Sequence, residues 1–531
     1  MDDLLAHYPP AVSGAYDEMI GPEGVRPQYG ALTDVFDRLG GDELTARNAY
    51  LGTRYLDTGV TFDFSGREEP FPVDIVPRLI QAEPWSRLEA GLTQRVAVLE
   101  RFLADVYGAG QVFDDGVVPR ALITTSRHFV RAVAGFEPPG GVRIHVAGID
   151  LVRDGEGTMR VLEDNVRIPS GVSYVLTNRQ AITAALPEAV RRYPMAPVDD
   201  YPARLRAALA ACAPPGVTDP HVVVMSPGVF NSAYFEHSLL ARTMGVPLVE
   251  GRDLVARQGR VYLRDTGGLQ VVDVIYRRVD DEYLDPVHFR HDSMLGCAGL
   301  VSAQANGTVT IANAIGNGVA DDKLVYSYVP DLVRYYLGEE PIIPNVDTWR
   351  LEDPGQREEA MDRFAELVIK PVDGSGGKGI VIGPQCDAEE LEQARQKVLA
   401  DPRGYVAQPL VQLSTVPTVV DGRLRPRHVD LRPFVLNDGQ GMWVLPGGLT
   451  RVARGEGQYI VNSSQGGASK DTWVLRAPGR ERTPEDEETV VLHEVDVVAP
   501  EISEVDSAGA QQQQQQQQQS CATVGEEART C

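Results

Sequence analysis

The sequence predicts an α/β (α+β) protein of several modules with a disordered C-terminal tail. Three observations carry that expectation. The apolar spacing changes from a helical period before residue 110 to a two-residue period after residue 142. Residues 221–278 run strand, helix, strand, which is the order of a parallel α/β unit. A chain of 531 residues with 43% hydrophobic and 24% charged side chains can bury more than one core.

Taken in order, residues 1–110 read mostly as helix. PWSRLEAGLTQRVAVLERFLADVYG has apolar residues near i, i+3 and i+4 and ends at Gly108. Residues 121–135 are ambiguous. VRIHVAGIDLV and TMRVLEDNV then alternate around Asp154-Gly155-Glu156-Gly157, a strong hairpin signal. Residues 177–212 return to helix and close on Pro214-Pro215-Gly216, a boundary. HVVVMSP reads as a buried strand, SAYFEHSLLARTMG as a helix, and PLVEGRDLVARQGRVYLR and LQVVDVIYRR as further strands. Residues 285–345 are mixed. After Trp349, strands are expected in ELVIKPV, GIVIGP, GYVAQPLV, HVDLRPFVL and MWVLPGGLTRVA. The expected modules are 1–110, 111–215, a Rossmann-like unit at 216–320, 321–480, and a tail at 481–531. The tail holds 12 acids, 2 bases and the run Gln511–Gln519. Such a segment buries too little apolar surface to offset its ordering entropy.

Composition removes several function classes. Fifty Lys+Arg against 75 Asp+Glu give a net charge of −25, which argues against nucleic acid and anionic membrane surfaces as partners. No apolar run reaches the ~18 residues of a membrane span. MDDLLAHYPP lacks a secretory signal pattern. The five cysteines, at 212, 297, 386, 521 and 531, never form a CxxC pair. A disulfide framework and a zinc ribbon are therefore not expected, and the cytoplasm is the expected compartment.

The most informative segment runs from Val368 to Ile382. Gly374, Gly376 and Gly379 formally match GxGxxG, but Ile380-Val381-Ile382 continues as strand where a dinucleotide fingerprint opens a helix. Lys378 is followed by Gly379, so the loop is not a Walker A sequence either. It is a glycine-rich hairpin tip. Gly374, Ser375, Gly376 and Gly377 let backbone N–H groups approach an anion, and Lys370 on the preceding strand adds positive charge. A phosphate-binding loop is the expectation. Downstream, Gln408 and Leu410 sit where a strand meets a proline hinge, which suits either an adenine edge or a plain strand end. Asp430 and Arg432 share a strand face and read either as a surface ion pair or as an arginine aimed at a phosphate.

A second constellation lies on the hairpin at 142–167. Glu163 and Asn165 share a face, and Asp150 lies on the partner strand within one or two residues of register. Asp, Glu and Asn are hard oxygen donors of the kind magnesium takes alongside substrate phosphates. The same residues also suit a solvated acidic face. His145, on the alternating strand, is expected to be structural.

Together these segments resemble the ATP-grasp superfamily, most closely its circularly permuted type 2 branch, which also contains glutathionylspermidine synthetase-like proteins. The resemblance covers about residues 60–475 and rests on DLVRDGEGTMRVLEDNVRIPSG, SPGVFNSAYFEHSLLARTMGVPLVEGRDL, ANAIGNGVADDKL, VIKPVDGSGGKGIVIG, YVAQPLVQ and HVDLRPFVL. The acidic strands precede the lysine strand, as that branch requires. The resemblance implies that 216–320 is a pre-ATP-grasp domain inserted between the two parts of the permuted fold. It implies ATP contacts from Lys323, Lys370, Gly374, Ser375, Gly376, Gly377, Gln408 and Leu410. It implies magnesium ligands at Asp150, Glu163 and Asn165, and catalytic roles for Arg167 and Arg432. Gln412 stands where a ribose-binding carboxylate is often found. The implied activity is an ATP- and Mg2+-dependent carboxylate–amine ligase working through an acyl-phosphate. A nucleotide-binding scaffold that docks partners through its tail, and a phosphotransferase, are the alternative readings.

Overall fold

A computed structural model describes residues 8–9, 14–64, 67–373, 379–458, 461, 467–477 and 516. The tail expected to be disordered, 481–531, lies outside these residues except for Gln516. Gly374, Ser375, Gly376 and Gly377 lie outside them too.

The N-terminal region is not helical alone. Helix α1 (Gly30–Asp57) is broken at Gly40, whose φ of 75° is open to glycine. Strand β1 (Val73–Ile80) follows and is buried along its whole length. Its sequence, VDIVPRLI, buries Asp74 and Arg78 together with its apolar residues, so no apolar–polar alternation marks it as a strand. Helix α2 (Ala82–Val106) buries Leu88, Leu92, Val96, Leu99, Phe102 and Leu103 along one stripe, as its spacing predicts. The acidic hairpin is β2 (Val146–Arg153) and β3 (Met159–Asn165). Helices α3 (Val172–Ala185) and α4 (Tyr201–Ala211) follow.

The parallel unit comprises β4 (Val222–Met225), α5 (Tyr234–Met244), β5 (Leu248–Val249), β6 (Val274–Arg277) and β7 (Thr310–Ala312). Its strand order is β7-β6-β4-β5 and every pair is parallel, as the strand–helix–strand pattern predicts. An antiparallel three-stranded excursion over 254–272 interrupts it. Helix α6 (Lys323–Leu337) begins at Asp322, whose carboxylate accepts the Leu324 N–H at 2.9 Å and so caps the helix.

The C-terminal half supplies β8 (Trp349–Arg350), β9 (Leu367–Pro371), β10 (Val381–Ile382), α7 (Ala388–Ala400) and β11 (Tyr405–Pro409). These strands form one sheet, β8-β11-β9-β10, over its own small core of Leu351, Phe364, Leu367, Ile369 and Val398. The hairpin β12 (Thr415–Val420) and β13 (Arg423–His428) comes next, then β14 (Phe434–Asn437), β15 (Met442–Val444), β16 (Thr450–Val452) and β17 (Ala468–Val474). HVDLRPFVL is thus divided: its first residue ends β13, its last three belong to β14, and Val429, Leu431 and Arg432 between them make isolated bridges.

Two long-range pairings position the site. β14 runs antiparallel to β2, with Phe434 opposite Gly148, and builds the sheet β15-β14-β2-β3. β17 lies parallel to β1, so strands some 390 residues apart share a sheet. Val161 of β3 bridges Asn345, just before β8, and so ties the hairpin to the approach of the lysine-bearing sheet.

Candidate nucleotide and metal site

The hairpin register settles which side chains meet. Asp150 lies opposite Glu163 and Gly148 opposite Asn165, with an irregularity after Asp150. Cross-strand partners project from the same face, so the three oxygen-bearing residues of the sequence pattern are neighbours.

The lysines arrive from the other half of the chain. Lys370 and Gln408 sit on neighbouring antiparallel strands and face the same side: Gln408 is opposite Val368, and Lys370 is opposite Val406. The Lys370 ammonium donates to the Gln408 side-chain oxygen at 2.6 Å, and the Gln408 amide nitrogen donates to Thr348 at 2.9 Å. Both ends of the Gln408 side chain are therefore engaged within the protein. Leu410, just beyond it, is half-buried.

Lys323 opens α6, and its backbone N–H reaches the Val372 carbonyl at 3.5 Å, beside the end of β9. Its ammonium stands 3.2 Å from the Glu163 carboxylate. Burial pulls the Lys370 ammonium down to about 8; Glu163 opposes that shift and Lys323 adds to it. Residues some 200 positions apart in the chain thus share one electrostatic site.

Arg432 grips Asp150 through both carboxylate oxygens, one bond measuring 2.8 Å, and also donates to the Ser170 carbonyl at 3.2 Å. Arg451 adds a bond to Asp150 at 2.7 Å and holds Asp430 at 2.9 Å. Burial opposes ionisation of Asp150, but the two guanidiniums outweigh it and hold the carboxyl below its usual range. The Asp430–Arg432 surface pair considered from the sequence is not formed, because Asp430 is buried and turned to Arg451.

Arg167 pairs with Asp280 at 2.9 Å and with Asp321 at 3.5 Å. Asp280 follows β6 of the parallel unit, so this contact joins that unit to the hairpin. Asp321 also accepts the Val166 N–H at 2.7 Å; burial nonetheless pushes its carboxyl up to about 7. His145 is buried with neither ring nitrogen hydrogen-bonded among the described residues, and burial lowers it to about 4, in keeping with a structural role.

The donor chemistry fits a magnesium ion on Glu163 and Asn165. The Asn165 side-chain nitrogen is buried without a partner among the described residues, and turning the amide over presents its oxygen at the same place. No three His, Cys, Asp or Glu side chains among the described residues close on one metal position. An ion here would complete its shell with substrate oxygens and water, which is how magnesium is commonly held. Asp150 could join that shell only by sharing its oxygens with Arg432 and Arg451.

Four site residues escaped the sequence reading. Asp321 and Arg451 lie in ADDKL and GGLTRVA, segments singled out for other residues. Arg127 and His128 lie in the ambiguous stretch. Arg127 pairs with Asp373, the residue before the glycine loop, at 3.3 Å. Burial, with the nearby charges of Arg167, Arg127 and Lys323, lowers His128 to about 3.

A family model described as circularly permuted ATP-grasp type 2 matches residues 77–453. The chain belongs to that family. It is 56% identical over 462 residues to an uncharacterized protein of Mycobacterium tuberculosis, covering 87% of this chain and 84% of that protein. An uncharacterized protein of Synechocystis is 48% identical over 469 residues, covering 87% of this chain and 97% of that protein. A putative glutamate–cysteine ligase of Frankia alni is 45% identical over 482 residues, covering 89% of this chain but 55% of that protein. The fold extends to a solved structure, a glutathione synthetase-like effector from Globodera pallida in its apo form. It matches with a TM-score of 0.54 over 82% of this chain and 98% of that chain, at 11% identity. Among the described residues, no helix is long and apolar enough to cross a membrane.

Proposed function

We propose that this protein is an ATP- and Mg2+-dependent carboxylate–amine ligase. The observation that carries the reading is the convergence of Lys323 and Lys370 from the nucleotide half on Glu163 of the acidic hairpin. Two ammonium groups facing oxygen donors make a cleft that accepts a polyanion on one side and a divalent cation on the other.

In the reaction, a substrate carboxylate oxygen attacks the γ-phosphorus of ATP and the bond to ADP breaks. The amine nitrogen then attacks the acyl-phosphate carbonyl, the C–O bond to phosphate breaks, and the nitrogen loses a proton. The chain has little covalent work to do; it orients and neutralises. Lys370, fixed by Gln408, and Lys323, at the start of α6, hold phosphate oxygens. Glu163 and Asn165 would hold magnesium, which neutralises charge on the transferring phosphoryl group. Arg432, held by Asp150 and Ser170, keeps one N–H on each terminal nitrogen that can receive the oxyanion developing at the carbonyl. Arg167, clamped by Asp280 and Asp321, braces the hairpin against the parallel unit. The name of the Frankia relative makes glutamate and cysteine the first acid and amine to assay.

The test is ADP release across acid and amine pools, with mass spectrometry of the product. A ligase releases ADP only when both an acid and an amine are present, and the product mass equals their sum less water. ADP release with an acid alone, giving a stable phosphorylated product, would select phosphotransfer. ATP binding without ADP release in any pool would contradict the ligase reading.

A further inference from the structure

The hairpin β12–β13 carries a basic feature that the ligase reading does not use. Arg423, Arg425 and Arg427 occupy alternate positions of β13, so they leave the strand on one face. With Val420, Asp421 and Glu456 they line an open cleft of about 710 Å3. Same-face neighbours on a strand stand about 7 Å apart, close enough for adjacent arginine side chains to converge on one oxyanion. The whole chain carries a net charge of −25, yet among the described residues neither Arg423 nor Arg425 forms an ion pair.

Arg427 forms the floor. Its side chain is 8% exposed, and the nearest carboxylate, on the exposed Glu456, stands 3.6 Å away. One terminal nitrogen donates to the Pro426 carbonyl at 3.0 Å, and its Nε is buried with no hydrogen-bond partner among the described residues. A buried charged donor without an acceptor is costly, and three like charges on one strand face repel one another. A single anion between Arg423 and Arg425 relieves that repulsion.

We propose that this cleft binds a small oxyanion, a phosphate or carboxylate group, at a site separate from the nucleotide cleft. The guanidinium fork matches both kinds of group, and the cleft has the volume of a small-molecule site. Glu456 lies on the segment that leaves β16, five residues after Arg451. An anion that replaces Glu456 at Arg427 therefore acts on the segment leaving β16, the strand whose Arg451 binds Asp150 and Asp430.

The experiment is calorimetric titration of the full chain, without nucleotide or magnesium, with inorganic phosphate and separately with malonate. One saturable event is expected with at least one probe. It should persist in Lys370→Ala and weaken about tenfold or more in Arg425→Gln and in the Arg423→Gln/Arg425→Gln pair, the loss expected from removing a charge-assisted bond. Arg423 is exposed and Arg425 half-buried, so these variants should fold. Tighter phosphate binding identifies a phosphorylated ligand, and tighter malonate binding a dicarboxylate. No saturable binding with either probe, affinity unchanged in the arginine variants, or binding lost in Lys370→Ala would overturn the site. The readout needs no turnover, so its failure leaves the ligase reading standing.

Discussion

At the scale of the residue, the site is governed by charges that burial makes expensive and partners make tolerable. Lys370 is the clearest case, lowered to about 8 from a free value of 10.5. Between those two values the unfolded chain binds the extra proton, so this group makes stability rise with pH across that window. If the ammonium holds phosphate as proposed, ATP affinity should fall as pH passes about 8 while the apo protein does not lose stability on account of Lys370. Calorimetry of ATP binding between about pH 7 and pH 9 checks this, and Lys370→Arg, which stays charged, should flatten the profile. Asp150 and Glu163 separate structure from chemistry. Asp150→Asn leaves Arg432 and Arg451 without their shared carboxylate and should cost about 3–5 kcal/mol in urea unfolding. Glu163→Gln breaks only a partly exposed pair with Lys323, so its stability should stay within about 1 kcal/mol of wild type.

At the scale of the element, much was legible and the exceptions have physical causes. The acidic hairpin announced itself through alternation around Asp154-Gly155-Glu156-Gly157, and its register places Asp150 opposite Glu163. The parallel unit followed from β-branched runs on either side of a helix. β1 did not, because a strand buried on both faces shows no alternation. The hairpin β12–β13 also escaped notice, although Asp421 and Gly422 have φ of 48° and 73°, the turn that an Asp-Gly pair favours. Pro417 and Pro426 lie opposite one another in its ladder, and prolines argue against strand in a sequence. Element packing also sets a test. A Cβ on Gly148 would stand 3.0 Å from Pro169 and 3.3 Å from the Arg432 side chain. Gly148→Ala should therefore cost about 1–3 kcal/mol in unfolding and lower turnover by displacing Arg432, without changing ATP affinity in calorimetry.

At the scale of the whole molecule, the order of the sequence is the argument. Acidic strands come first and lysine strands some 200 residues later, and the fold brings them back to one cleft. Individual residues made the lysine and the glycine loop visible. The cluster of Asp150, Asp430, Arg432 and Arg451 was not visible, because it joins positions up to 301 residues apart and no local period reports that contact. One face of the lysine-bearing sheet covers its own small core, while Val406 on its β11 strand joins the larger core that holds the hairpin. Closure between the two parts should accompany nucleotide binding, and MgATP should protect the junction near Asn345 and Thr348 from hydrogen exchange.

Whether hairpin and lysine sheet hold opposite sides of one nucleotide is decided by ATP calorimetry with and without magnesium. In Lys370→Ala, affinity should drop under both conditions. In Glu163→Gln, only the magnesium-dependent part of the affinity should be lost, and ADP release should fall about a hundredfold or more. A Glu163→Gln protein that binds MgATP and releases ADP as the wild type does would mean that Glu163 holds no magnesium at the nucleotide.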